Sequence, residues 1–175
     1  VTATEQKETV VSSQPNTYSF LHRPKLGIAF HAYMERHAIN ENTINQSLVH
    51  QMRTEYMLED HGNELQELIQ IFLQSDLFAR IKKAKSVFRE IPFSFFDNQI
   101  LFEGYIDMMI EESDGLTIID FKTDKVTLKD LPDRSKIYEP QLEIYAKALK
   151  KSAGLPVKEK ILYFVRLNKS LSSSF

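Results

Sequence analysis

The sequence predicts an α/β fold built on a mixed sheet, and three patterns carry the prediction. Apolar residues recur at helical spacing from Asn63 to Leu73. From Phe88 to Phe121 they alternate with a period of two, broken by turn residues. After Pro140 a helical stripe is followed by one short apolar run.

The elements follow in order. Residues 1–24 are polar, show no sustained period and read as an arm or linker. A helix is predicted from near Lys25 through Gly27, Phe30, His31, Met34 and Ala38. Residues 40–62 read as a broken polar stretch, punctuated by Asn40, Asn42, Asn45 and Gly62. Leu65, Leu68, Ile69, Phe72 and Leu73 define an amphipathic helix, and Ser75 caps a further short one carrying Leu77, Phe78 and Ile81. Three meandering strands follow, turning at Asp97-Asn98 and Asp114-Gly115. A helix from about Glu139 to Lys151, stopping at Gly154, precedes a buried strand over 160–167. Residues 25–168 thus read as one domain and the Ser-rich 169–175 as a tail.

Composition narrows the chemistry. The 175 residues contain no cysteine, which removes disulfides, thiolate zinc sites, iron–sulfur clusters and cysteine nucleophiles. Lys+Arg 22 against Asp+Glu 24 leaves a net charge of −2, so a nucleic-acid partner would need a local basic patch. The run Arg80, Lys82, Lys83, Lys85, Arg89 is one, read either as a solvated face or as a phosphate contact. Phosphate-loop and dinucleotide glycine motifs are absent. No apolar run approaches the ~20 residues of a membrane span, and no signal-peptide layout is present, so a cytoplasmic domain without a membrane partner is expected. The first residue, Val1, points to a processed chain or an excised piece of a longer one.

Two-residue loops at the two turns would set Asp107 opposite Lys122, Met109 opposite Asp120, Glu90 opposite Tyr105 and Phe88 opposite Asp107. Alternation then sorts Ile91, Phe93, Phe95, Ile100, Phe102, Ile106, Met108, Ile110, Ile119 and Phe121 onto one face, and Glu90, Asp107, Asp120 and Lys122 onto the other. Diagonal neighbours lie ~7–8 Å apart, so the three carboxylates can converge on one ion. Without thiolates, oxygen ligands point to Mg²⁺ or Mn²⁺. Lys122 beside them would stabilise charge on a phosphorane, and the set suits metal-assisted phosphodiester hydrolysis. The plain alternative is a cross-strand ion pair between Asp107 and Lys122.

Gly27-Ile28-Ala29-Phe30-His31, Arg89-Glu90-Ile91-Pro92-Phe93, Gly104-Tyr105-Ile106-Asp107, Asp120-Phe121-Lys122-Thr123-Asp124 and Gln141-Leu142-Glu143-Ile144-Tyr145 occur in that order. Over roughly residues 25–165 the chain resembles the RecB/AddA-type nuclease branch of the PD-(D/E)xK superfamily, the C-terminal nuclease domains of bacterial helicase–nucleases that process double-strand breaks. The resemblance implies a restriction-endonuclease-like core, a strand meander flanked by helices with an N-terminal helical part. It implies that His31, Asp107, Asp120 and the Phe121 carbonyl bind Mg²⁺, with Mn²⁺ as a substitute, and that Lys122 is the catalytic lysine with Glu90 at the site edge. Gln141 and Tyr145 would line the site or contact DNA, although Tyr145 fits its helix's core stripe equally well; Lys82 and Lys83 of the basic run, if it is not a solvated face, would be further DNA contacts. The implied partners are DNA, helicase domains of a larger chain and a partner subunit, and the implied activity is a Mg²⁺-dependent deoxyribonuclease, an exonuclease, acting in repair and recombination. The cluster-stapling cysteines of some relatives are missing, so no iron–sulfur cluster is expected. Two rival readings stand beside this one: a catalytically silent DNA-binding or scaffold module of the same fold, and a free-standing exonuclease.

Overall fold

In the computed structural model, which describes residues 10–11, 17–19, 24–154 and 156–174, two α-helices start at a side-chain cap, Asn45 and Ser75, and one ends at a glycine, Gly154. The chain runs β1 (Val10–Val11), β2 (Thr17–Ser19), α1 (Lys25–Arg36), α2 (Gln46–Glu55), α3 (Glu64–Leu73), α4 (Asp76–Ile81), β3 (Ser86–Asp97), β4 (Ile100–Glu112), β5 (Gly115–Lys122), α5 (Leu131–Ala153), β6 (Val157–Phe164) and β7 (Lys169–Ser174). Single 3₁₀ turns lie at Glu59–His61 and Val165–Leu167. The Ser75 hydroxyl accepts the Phe78 N–H at 3.1 Å, as the spacing predicts, and starts α4.

All strands join one mixed sheet. β3, β4 and β5 form the expected antiparallel meander, β6 lies parallel to β5, and β7 is antiparallel to β6. The short β1 pairs with β2, which lies parallel to β4. Parallel neighbours need a crossover, and α5 supplies it between β5 and β6. Helices cover both faces. Phe30, Tyr33, Leu68, Phe72 and Phe78 of α1, α3 and α4 pack with Met108, Ile110, Ile119, Phe121 and Tyr163. On the other side Tyr138, Leu142, Tyr145 and Leu149 of α5 pack with Ile106, Met109, Ile118, Leu162 and Phe164. Among the described residues no helix is long and apolar enough to cross a membrane.

Several expectations are corrected. The polar 40–62 stretch contains α2, capped by Asn45, whose side chain accepts the Leu48 N–H at 3.0 Å. Only Val49 and Met52 of that helix are buried, too sparse a stripe to register as a period. α5 begins two turns before Glu139 and carries Pro140 inside it. A proline costs one backbone hydrogen bond there, and the packed stripe on either side carries the helix through. Gly154 ends it in the left-handed region at φ 63, with its N–H on the Lys150 carbonyl. The buried strand stops at Phe164. The Ser-rich segment is no tail: Asn168 turns the chain at φ 48, and β7 pairs along the whole of Glu159–Phe164. Most of the polar arm 1–24 lies outside the described residues.

Both hairpins sit two residues away from the expected register. Asp97 pairs with Ile100, so the first loop is Asn98-Gln99, with φ 48 and 67. Two consecutive positive φ values are the type I′ turn that matches strand twist. Asp97, expected in the loop, instead reaches Lys147 and Lys151 of α5, each at 3.3 Å. Glu112 pairs with Gly115, so the second loop is Ser113-Asp114, and Gly115 takes the φ of 142 that starts β5. Glu90 therefore stands across from Asp107 rather than Tyr105, and Asp107 falls next to Asp120 rather than Lys122.

The single apolar face is also corrected. Glu90 adopts φ 45, and the β3–β4 ladder skips the Glu90/Asp107 position. A residue in the left-handed region breaks the two-residue alternation. Ile91, Phe93 and Ile106 consequently pack toward α5, while Met108 and Ile110, on the same strand parity as Ile106, pack toward α1, α3 and α4.

Candidate metal centre

The ladder break places carboxylates between the two helical layers. His31 enters from α1, on the stripe that buries Phe30 and Met34. Its Nδ1 lies 3.5 Å from Asp107 Oδ1 and 3.6 Å from Glu90 Oε1. Ligand atoms of His31, Glu90 and Asp107 all fall within 4.8 Å of one another, a spacing that fits one shared ion. The Phe121 ring stands edge-on to the His31 ring at 5.9 Å and fixes its plane from the core side.

α1 is held in place by Arg89, the neighbour of Glu90. The Arg89 guanidinium donates to the carbonyls of Met34, Glu35 and His37 at 3.0, 2.8 and 2.7 Å, closing the exposed end of the helix. Burial pushes its pKa below the usual arginine value. Arg89 thus leaves the expected phosphate patch and becomes the strut between α1 and β3.

Asp107 links two halves of the site. Its Oδ1 faces His31, and its Oδ2 accepts the Phe121 N–H at 2.9 Å, between Asp120 and Lys122. Past Met108–Ile119 the β4–β5 ladder has ended, so a side chain takes the donor that a strand partner would have used. On the α5 side, Lys122 Nζ lies 2.6 Å from Asp120 Oδ2 and donates to Gln141 Oε1 at 2.8 Å. Gln141 Nε2 in turn donates to the Tyr145 hydroxyl. The Lys122 ammonium also lies 4.1 Å from the centroid of the Tyr138 ring, whose hydroxyl donates to Asp124 Oδ2. Burial, then the Asp124 carboxylate, push the Tyr138 phenol well above the ordinary tyrosine range.

Glu90, Asp107, Asp120, Lys122 and His31 are therefore gathered where the middle of β4 meets the last residues of β5, in two linked clusters rather than on the one flat face that the sequence predicts. Gln141 lies at the site through Lys122, and Tyr145, buried at 1% exposure, is joined to it through Gln141. The Phe121 side chain belongs to the core. Lys82 and Lys83 are exposed beyond α4, before Ser86, and about 13 Å of strand separates Ser86 from Glu90. Lys82 donates to Asn42 Oδ1 at 2.6 Å. Arg80 is bound to Glu112 and Glu159, both at 2.6 Å. Sequence reasoning gave Tyr138 and Asp124 no role; a helix started at Glu139 leaves Tyr138 outside it, although Tyr138 and Gln141 have the spacing of one helical face.

The donor set can be tested against a cation. Glu90 and Asp107 face His31 across one small cavity, and the Asp120 carboxylate lies beyond the Phe121 backbone with Lys122 as its ammonium. Asp120 is fully buried, and no described residue sends a well-directed hydrogen bond to either of its oxygens. Clustered buried carboxylates with spare lone pairs suit a hard divalent cation, with the imidazole as a nitrogen ligand.

Over residues 8–172 the chain matches the family described as the PD-(D/E)XK nuclease superfamily. It is 38% identical over 164 residues to an ATP-dependent helicase/nuclease subunit of Bacillus cereus (strain ATCC 10987 / NRS 248). The corresponding protein of Bacillus mycoides (strain KBAB4) is 37% identical over 167 residues. Each match covers 79% of this chain and 13% of the relative, so the chain spans a small part of the length of the curated relatives it matches.

Proposed function

Because the chain belongs to the PD-(D/E)XK nuclease superfamily, we propose that it is the nuclease module of a helicase–nuclease, a Mg²⁺-dependent deoxyribonuclease that hydrolyses phosphodiester bonds. The observation that carries this reading is the convergence of His31, Glu90 and Asp107 within 4.8 Å, joined through the Phe121 N–H to the Asp120–Lys122 pair.

His31 and Asp107 would hold the cation with Glu90 at the open edge of the same cluster, and Asp120 and the Phe121 carbonyl would be further ligands from the neighbouring pair. Bound there, a divalent cation supplies Lewis-acid polarisation of a phosphodiester and acidifies water. The chain's own residues do the rest. Arg89 holds α1 and so fixes His31 relative to Glu90. The Phe121 N–H keeps Asp107 Oδ2 engaged and orients Oδ1 toward His31. Lys122, held by Gln141, presents its ammonium to the phosphoryl oxygen on which charge grows, a preorganised donor that costs no reorganisation in the transition state. Exonuclease action on DNA in break repair, cytoplasmic location, Mn²⁺ as a substitute, helicase domains of a longer chain and a partner subunit belong to the same proposal. The name carried by the relatives, which joins helicase to nuclease, supports it.

The test is cleavage of end-labelled single- and double-stranded DNA by this chain, without ATP, in Mg²⁺, in Mn²⁺ and in EDTA. Metal-dependent products that vanish in Asp107→Asn are expected. Absence of cleavage under every condition would replace this reading with the silent DNA-binding module.

A further inference from the structure

Lys122 is a buried ammonium at 4% exposure, and a lysine presents three donors. Two directions are taken by Asp120 Oδ2 at 2.6 Å and Gln141 Oε1 at 2.8 Å. The third side is the Tyr138 ring, 4.1 Å from centroid to Nζ, close enough for a desolvated cation–π contact. The ring cannot turn away freely: its hydroxyl donates to Asp124, two residues beyond Lys122, so the aromatic ring is tied to the segment that leaves the strand carrying the lysine. The Phe164 ring, 6.3 Å away, backs it from β6.

We propose that Tyr138, with Asp124 as its anchor, is a positioning residue that holds the Lys122 ammonium at the reacting phosphate. The proposal rests on the reading of Lys122 as the catalytic cation. Asp120 serves two claimants, the ammonium and a divalent cation, and a carboxylate shared between them grips the lysine less firmly. Gln141 and the Tyr138 face then keep the ammonium in register. A quadrupole is well suited to this, because it attracts the cation without fixing a proton to one acceptor, so the N–H on that side can turn to a phosphate oxygen while Gln141 keeps its own.

The experiment reads the contact and its consequence separately. In the ¹³C-lysine-labelled chain, the Lys122 ε-methylene protons, assigned by their loss in Lys122→Met, should be shifted upfield by the ring current. Tyr138→Phe and Asp124→Ala, which break the same hydrogen bond but keep a ring, should both reduce that shift, and Tyr138→Leu should abolish it. In DNA cleavage, Tyr138→Leu should lower kcat by about 10- to 30-fold, the rate equivalent of a desolvated cation–π contact, with KM within about twofold. Tyr138→Phe, which keeps the ring without its anchor, should lose several-fold in kcat, less than Tyr138→Leu and in line with Asp124→Ala. Should Tyr138→Leu fail to fold, Asp124→Ala decides, with a several-fold loss of kcat accompanying its smaller ring-current shift. Unchanged kcat in Tyr138→Leu or Asp124→Ala, alongside an inactive Lys122→Met, would overturn the positioning role and leave the lysine's role intact. A Lys122→Met variant that cleaves at the parental rate would instead overturn the reading of Lys122, and the proposal with it.

Discussion

Replacing Lys122 by methionine separates the charge at this centre from its packing. Methionine keeps an unbranched side chain of similar length, so the cavity left behind is small. The Asp120 carboxylate, fully buried and 2.6 Å from the ammonium, loses its only close cation among the described residues. No described residue donates a well-directed hydrogen bond to it in compensation. Breaking one side of a buried pair costs about 3–5 kcal/mol. For a chain of this length each kcal/mol moves the midpoint by about 2–4 °C, so Lys122→Met should melt about 6–20 °C below the parent in EDTA. Calcium, a cation of the same charge class, should then recover more stability in the variant than in the parent. The ammonium that repels the ion is gone, and binding at a hundredfold excess over Kd adds about 2.7 kcal/mol. Urea denaturation and calcium calorimetry on both proteins measure the two quantities. The double variant Asp120→Asn/Lys122→Met, with neither charge, should be more stable in EDTA than Lys122→Met and should respond less to calcium. An EDTA midpoint for Lys122→Met equal to the parent's would refute the reasoning, as would equal calcium increments in the two.

Arg89→Ala removes the donors to three carbonyls at the end of α1; stability should fall by about 1–3 kcal/mol, and calorimetry should show several-fold weaker calcium binding because His31 is no longer held against Glu90. Arg80→Ala tests a network remote from the site. Arg80 lowers the Glu112 pKa to about 2, below its unfolded value, so the stabilisation is fully present above about pH 4.5 and is lost as pH falls toward 2. Urea denaturation should therefore show a gap between parent and Arg80→Ala that is widest near neutrality and narrows across that window, while neutral-pH cleavage stays unchanged. Lys82→Glu/Lys83→Glu should lower DNA affinity and flatten the dependence of log K on log salt by about 2 if both lysines touch phosphates; an unchanged slope in a binding titration would make them a solvated surface.

The residues gathered at this centre were legible in the sequence because a motif keeps its residue types and spacing wherever the chain goes. Glu90, Asp107, Asp120 and Lys122 could be named from strand spacing and His31 and Gln141 from the family resemblance, and α1, α3, α4, the meander and the crossover to β6 from pattern. Those elements carry dense apolar periods or strong caps, which are local properties. α2 and β7 were missed for the opposite reason. With Val49 and Met52 in one and Leu171 in the other as nearly all the packed apolar content, their structure is secured by neighbours rather than by their own pattern. Parity survived in the hairpin registers because both errors were of two residues, and a two-residue slip returns each side chain to its face.

What tertiary structure alone decided is the break at Glu90. No local rule predicts a glutamate at φ 45. That conformation interrupts the ladder, exchanges the faces of β3 and β4 and divides the charged set between α1 and α5. The same holds for the partners of the cations. Arg80, Lys82 and Arg89 look alike in sequence. Yet one is locked between Glu112 and Glu159, one rests on Asn42, and one closes the end of α1. A charged side chain pairs with whatever the fold brings within about 3 Å. Spacing and resemblance therefore named the residues of the centre, while the partners each one faces, and the role that follows, came from packing between elements distant in the chain.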